Sequence, residues 1–321
     1  MFKVHLLFLL VYTCYATALF AKTICVDANT SVLHGNGSCW ESPYQDLQQA
    51  LDAATDDKDI HEIWVAKGVY RPTKTYAPEN HQHIQIVGGA FSQKQYNPGI
   101  TFKQKLTHYQ QDVKHYQRCL RTFSLIDGVS IYGGFKGHEK TRTQRSPDIE
   151  KNATILEGDY AIWHVLTAGN DITRKGVKVT LDRLVIQHGD ANQAPYYPTH
   201  FPLYASQIPI YYHDDGGGLY IFAHSQITLN HVRFLHNHAI AGGAIFVQDG
   251  SKLIINQCEF RHNQAQNGAA INIRHGGPNE FTPNAKRRTE VIIHHTRFLQ
   301  NHSEIGPAIL TNDNQSVIHR E

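Results

Sequence analysis

Short alternations of apolar and polar residues fill the second half of the chain, broken every few positions by Gly, Asn or His. No stretch there holds helical spacing for the length of a helix, so the pattern predicts β-strands joined by tight turns. The alternations also recur. Gly216-Gly217-Gly218-Leu219-Tyr220-Ile221 returns as Gly242-Gly243-Ala244-Ile245-Phe246-Val247, then as Gly268-Ala269-Ala270-Ile271-Asn272-Ile273, and again as Gly306-Pro307-Ala308-Ile309-Leu310-Thr311. The period is about 26 residues, and the longer last interval places an insertion at about 276–288.

Other positions keep the same register: Ile227, Leu253 and Val291; Leu229, Ile255 and Ile293; Phe234, Phe260 and Phe298; Asn237, Asn263 and Asn301. Val179-Thr180-Leu181 and Leu184-Val185-Ile186 match Ile227-Thr228-Leu229 and Val232-Arg233-Phe234, which places a second insertion at about 193–213. One such unit cannot bury its own apolar face, whereas stacked units can. Stacking predicts an inward column of Phe234, Phe260 and Phe298, and an amide ladder of Asn237, Asn263 and Asn301. Arg233, Glu259 and Arg297 should alternate in sign on the outside as a modest surface contribution. The glycines at the start of each repeat allow the positive φ of a sharp corner.

In the first half, Tyr44–Ala54 reads as a helix with Leu47, Ala50, Leu51 and Ala54 on one face, and Ile63–Val65 and Val129–Tyr132 read as strands. A further insertion at about 74–118 carries Phe102, Leu106, Tyr109, Val113, Tyr116 and Leu120 at amphipathic-helix spacing. At the far end Ser316–His319 matches Lys252–Ile255, so the chain finishes on a strand through which a second copy would associate at Val317 or Ile318.

The Gly-Gly-Ala-Ile-Phe and Phe-x-x-Asn elements resemble the repeats of polymorphic outer-membrane proteins and related surface proteins of the pectin-lyase-like fold. Val26-Asp27-Ala28-Asn29, Ser38-Cys39-Trp40, Leu47-Gln48-Gln49-Ala50-Leu51 and Ile63-Trp64-Val65-Ala66-Lys67-Gly68-Val69-Tyr70-Arg71-Pro72 extend it. So do Val129-Ser130-Ile131-Tyr132-Gly133-Gly134-Phe135 and Thr154-Ile155-Leu156-Glu157-Gly158-Asp159. The resemblance implies an all-β, single-stranded right-handed parallel β-helix over 22–321, with an N-terminal capping helix and an inserted helix. It implies a scaffold and leaves the reaction open.

Composition narrows the setting. Lys3 followed by the apolar run Leu6–Tyr12 reads as a secretory signal over residues 1–21, with cleavage expected after Ala18 or Ala21. The exported chain is then secreted, periplasmic or on the outer cell surface, with no transmembrane span. Cys14 lacks the small preceding residue of a lipid-attachment site. In an oxidising compartment Cys25 and Cys39, which bracket one short loop, are expected to pair, while Cys119 and Cys258 read as single buried thiols. Thirty Lys and Arg against 28 Asp and Glu leave no field to attract nucleic acid.

Two patches of candidate chemistry stand out. Tyr196, Tyr197, Tyr204, Tyr211 and Tyr212 crowd the second insertion, beside Tyr220 and Phe246, which the strand phase turns outward. Aromatic rings over a flat β face suit stacking on sugar rings. Asp190 begins that insertion and Asp214 and Asp215 end it, so their carboxylates can converge, with His188 or Arg183 as a base. A lyase would hold Ca²⁺ there; otherwise no cofactor or metal is expected. His236 and His238, two apart, imply a pH-dependent surface charge. The leading expectation is a non-catalytic, adhesin-like protein that binds a polysaccharide or cell-surface glycan. The alternatives are a polysaccharide lyase or glycoside hydrolase, and a self-associating structural solenoid.

Overall fold

The computed structural model describes residues 21–74, 118–169, 175–193, 214–274 and 288–311, together with the backbone of Val317–Arg320. The inserted helix expected within 74–118 and the tyrosines at 196, 197, 204, 211 and 212 lie outside the described residues.

The described chain is an all-β parallel solenoid. One coil shows the plan. Gln226–Asn230 lies in an eight-stranded sheet, Arg233–Leu235 in a second sheet, His238–Ala241 in a third and Ile245–Val247 in a fourth. The chain then re-enters the eight-stranded sheet at Lys252–Asn256. The second and fourth sheets hold six strands and the third holds three, and the strand pairs joining successive coils are parallel.

The registers expected from the repeats are those observed. Ile227 pairs with Leu253 and Leu253 with Val291; Phe234 pairs with Phe260 and Phe260 with Phe298; Leu219 pairs with Ile245 and Ile245 with Ile271. Val179 and Ile186 sit one coil earlier, opposite Ile227 and Phe234. Because strand side chains alternate, a shared register puts like residues in columns. The Phe rings stack at 5.0 and 4.9 Å with planes 5° and 9° apart, and Phe234 and Phe260 are fully buried. Each buried ring contributes about 2 kcal/mol of apolar burial.

Asn263 shows why the amide ladder belongs inside. Its two N–H groups donate to Phe234 O (2.9 Å) and Asn301 Oδ1 (2.9 Å), while its Oδ1 accepts from Asn237 N (3.0 Å) and Asn237 Nδ2 (3.1 Å). A buried amide with four bonding sites and four partners carries no desolvation debt. In the preceding coil Gly189 takes the equivalent place, and its N–H donates to Asn237 Oδ1. A Cβ there would lie 1.9 Å from Gly217 O, so no side chain fits.

Four details differ from the sequence expectation. The last strand, Val317–Arg320, pairs Val317 with Glu290 and Ile318 with Val291, one residue out of the expected register. The repeat marks that had fixed the register elsewhere are missing there, and two successive β-branched residues fit either phase. The helix begins at Leu47, capped by Asp46, whose carboxylate accepts from Gln48 N; Tyr44 instead bridges to Val26. Its Leu47, Ala50, Leu51 and Ala54 join the main core as expected. Glu259 is only 4% exposed, so the Arg233, Glu259 and Arg297 column is not a simple surface pair. Its carboxylate meets Arg233 (3.3 Å), Arg261 (3.1 Å) and Arg297.

Glycine forms some of the corners and other residues form the rest. Gly216, Gly242, Gly268 and Gly306, with φ between 60 and 74°, turn the chain into the fourth sheet, as expected. The corner leaving the eight-stranded sheet uses Arg183, His231, Gln257 and His295, and the corner leaving the second sheet uses His188, His236, His262 and Gln300. All eight have φ of 49–58°, a region that costs a non-glycine residue roughly 1 kcal/mol. The structure holds them there because the corner N–H stays in the ladder between coils: His236 N donates to Arg261 O and His262 N to Leu299 O.

Cys25 and Cys39 are joined by a disulfide, and Cys119 and Cys258 are buried thiols. Among the described residues no helix is long and apolar enough to cross a membrane.

Candidate functional site

The mouth of the second insertion is where the sequence placed both candidate patches. Asp190 forms a bridge with His238 and Asp215 with Ala241, so the insertion leaves and rejoins the solenoid at the two ends of one strand position in the third sheet. Three residues of strand separate the two backbones, about 10 Å. The expected convergence of Asp190, Asp214 and Asp215 therefore spans a whole strand instead of meeting at one point. Asp190 is buried, its N–H donates to Ile162 O, and its Oδ1 accepts from Asn192 N.

Asp215 is 2% exposed, with Arg274 Nη1 3.5 Å from its Oδ2. Burial pushes its carboxyl up to about 8; Arg274 opposes this and Asp214 adds to it. Both base candidates have partners of their own. Arg183 sits at the other corner, donating to Ser146 O, with its Nε 3.8 Å from Asp182. His188 Nδ1 lies 2.8 Å from Glu157 Oε1. Among the described residues no group of three His, Cys, Asp or Glu is placed to hold a metal ion.

Tyr220 and Phe246 do leave the main core, but both are buried in a second cluster with Phe222, Ala223 and Ala241. Their rings stack at 5.5 Å, 6° apart, with Gln248 Nε2 donating to the Tyr220 hydroxyl (2.7 Å) and Arg274 lying 4.9 Å over Phe246. Strand phase predicts the side of the sheet and says nothing of what covers it, so their expected place on an open surface is corrected to packing beneath it. His164 is half-buried beside Tyr220, its Nδ1 3.1 Å from Gly216 O, and desolvation lowers its pKa to about 4.

The feature that sequence reasoning left unassembled is the outer side of the second corner. Tyr160, His188, His236 and His262 form one row of rings across successive coils. Centroids are 4.6 Å apart for Tyr160 and His188, 5.8 Å for His188 and His236, and 4.9 Å for His236 and His262. His238 flanks the row, 5.2 Å from Tyr160. Tyr160 is 42% exposed and His236 is also exposed. The signal was present in the spacing: His236 and His262 are one repeat apart, in register with His188 and immediately before the asparagine ladder.

The row has its own electrostatics. Burial, then the neighbouring His262, His188 and His238 and Arg261, lower the pKa of His236. Burial chiefly lowers that of His238, with Asp190 opposing it and His188 adding to it. No protein-family model, curated protein or solved structure matches the chain.

Proposed function

We propose that this chain is an exported protein whose right-handed parallel β-helix binds glycan without acting on it. The observation that carries this reading is the row of Tyr160, His188, His236 and His262, running from coil to coil along one corner, with Tyr160 and His236 exposed and His188 and His262 half-buried. Imidazole edges and a phenol hydroxyl both donate and accept hydrogen bonds, as sugar hydroxyls do, and the half-exposed Tyr160 ring offers an apolar face. Strands fixed in the ladder place these groups more rigidly than a loop would.

The right hand follows from the general preference of connections between parallel strands in one sheet. Binding is favoured over Ca²⁺-dependent lyase chemistry because about 10 Å separates the Asp190 and Asp215 backbones and the carboxyl that burial holds neutral is a poor Ca²⁺ ligand. Tyr220 and Phe246 then serve as packing support, and the tyrosines of the second insertion remain proposed contacts.

The test is a screen of the exported chain against neutral and acidic glycans, with product release followed on each. Binding without product, weakened about fivefold by Tyr160→Ala, is the expected result. Release of unsaturated uronate would replace this reading with the lyase alternative, and failure to bind any glycan would end it.

A further inference from the structure

We infer that the imidazole row is a pH-gated docking strip for a linear acidic polysaccharide, engaged when its histidines protonate. This rests on the glycan-binding reading and names the ligand class of the same site.

Glu157 is committed to His188 and to Gln187 Nε2 (2.7 Å). Asp159 is committed to Arg71 at 2.6 Å. Glu259 is held among Arg233, Arg261 and Arg297, and Glu150 also meets Arg233. Asp190 lies buried beneath His238. Arg118 acts on Asp159 from the first-coil side. In the next coil Gln300 takes the corner and His302 follows His238 and Gln264 in the third sheet.

The carboxylates around the row are therefore already engaged, and the charged neighbour that acts on His236 is the cation Arg261, itself paired with Glu259. With the rings neutral the strip carries little charge. Protonation of His236 and His238 adds positive charge beside His188, His262 and Arg261; Asp190 opposes it at His238, and an external anion relieves the repulsion that acts on His236.

Spacing selects the form of that anion. The corner places one imidazole per coil, about 4.8 Å apart along the stack, which is close to the length of one sugar ring. A single anion meets one ring, whereas a polymer with a carboxylate on each sugar meets several in succession and gains by avidity. A nucleic acid is disfavoured by the near-balanced formal charge of +2, which provides no broad basic field beyond the strip.

The experiment measures the full exported chain on immobilised polygalacturonate, on neutral dextran and on a single-stranded oligonucleotide. Readings are taken at about pH 8 and about pH 5.5, where uronate carboxylates stay ionised. The expected result is about tenfold tighter binding to polygalacturonate at the lower pH, with dextran unaffected. The variant His236→Gln with His262→Gln should lose that gain, so that whatever affinity it retains is about the same at the two pH values. Glutamine suits the backbone there, because Gln300 and Gln257 already occupy equivalent corners at φ 52°.

Polygalacturonate affinity equal at the two pH values, a gain retained by the double variant, or an equal gain on the oligonucleotide would each overturn the inference. If dextran still binds in those cases, only the acidic specificity falls. If neither glycan binds at either pH, the glycan-binding reading falls with it.

Discussion

Asn237 and His236 are neighbours in sequence, and each heads a column of like residues at the same corner, yet the two columns obey opposite rules. The inward column, Asn237, Asn263 and Asn301, is made of groups that donate and accept at once, so each coil satisfies the next. The outward column, His188, His236 and His262, is made of groups that gain charge, so each coil works against the next once protons bind. A solenoid multiplies whatever a side chain does to a copy of itself. Complementary groups become a stabilising ladder, and ionisable groups become a sensor.

Four measurements break or sharpen that contrast. The largest effect is expected from Asn263→Ala, which orphans the Asn237 amide, the Phe234 carbonyl and a hydrogen-bond acceptor on Asn301 inside the stack. A loss of about 3 kcal/mol, seen as a fall of about 10 °C in the melting midpoint, should hold at any pH from 5 to 8. A loss that varied with pH would mean that the inner ladder also senses protons.

Asp215 is a buried ionisable group outside both columns. Because its folded pKa is raised from 3.8 to about 8, its contribution is complete below about pH 4 and is lost as pH rises through 8. Asp215→Asn should match the native chain at pH 4 and exceed it by about 2 kcal/mol at pH 9 in denaturant titrations. Equal stability at pH 9 would show that Arg274 compensates the ionised form. Glu259→Gln leaves three arginines facing a neutral amide, and about 1 kcal/mol should disappear, less at high salt. Salt-independent loss would point to packing instead of charge.

The smallest stability effect is His236→Gln. The folded His236 binds its proton below the usual 6.5, so the native chain weakens as pH falls through that value, and the variant does not. For an exposed, screened ring the difference at pH 5 should be no more than about 0.5 kcal/mol, read from paired melting curves at pH 5 and 7.5. A variant less stable than the native chain at pH 5 would mean that the ring is held by contacts its charge does not disturb.

Much of the solenoid was legible in advance because its code is periodic. A 26-residue offset, strict alternation and in-register Phe, Asn and Gly are enough to stack the coils, and the observed pairs of Ile227, Phe234 and Leu219 follow that reading. The reading slipped at Val317, where the neighbouring marks are missing. The site was less legible. Tyr220 and Phe246 were placed on the right side of their strands and the wrong side of the surface, because burial on an outer face depends on what the rest of the chain lays over it. His236 stood out in the sequence beside His238, but its row with His188 and His262 depends on corners of positive φ that the sequence marks with no glycine.

The sequence by itself determined the class of architecture, the strand registers of the central coils and the identity of the inner columns. Those depend on interactions between equivalent positions, and the repeat writes those positions out in order. Only the tertiary structure decided that Glu259 is buried among arginines, that Asp190 and Asp215 stand a strand apart, and that four rings line one corner. These outcomes depend on where the coil turns and what covers each face, and such distances arise only once the whole chain has closed on itself.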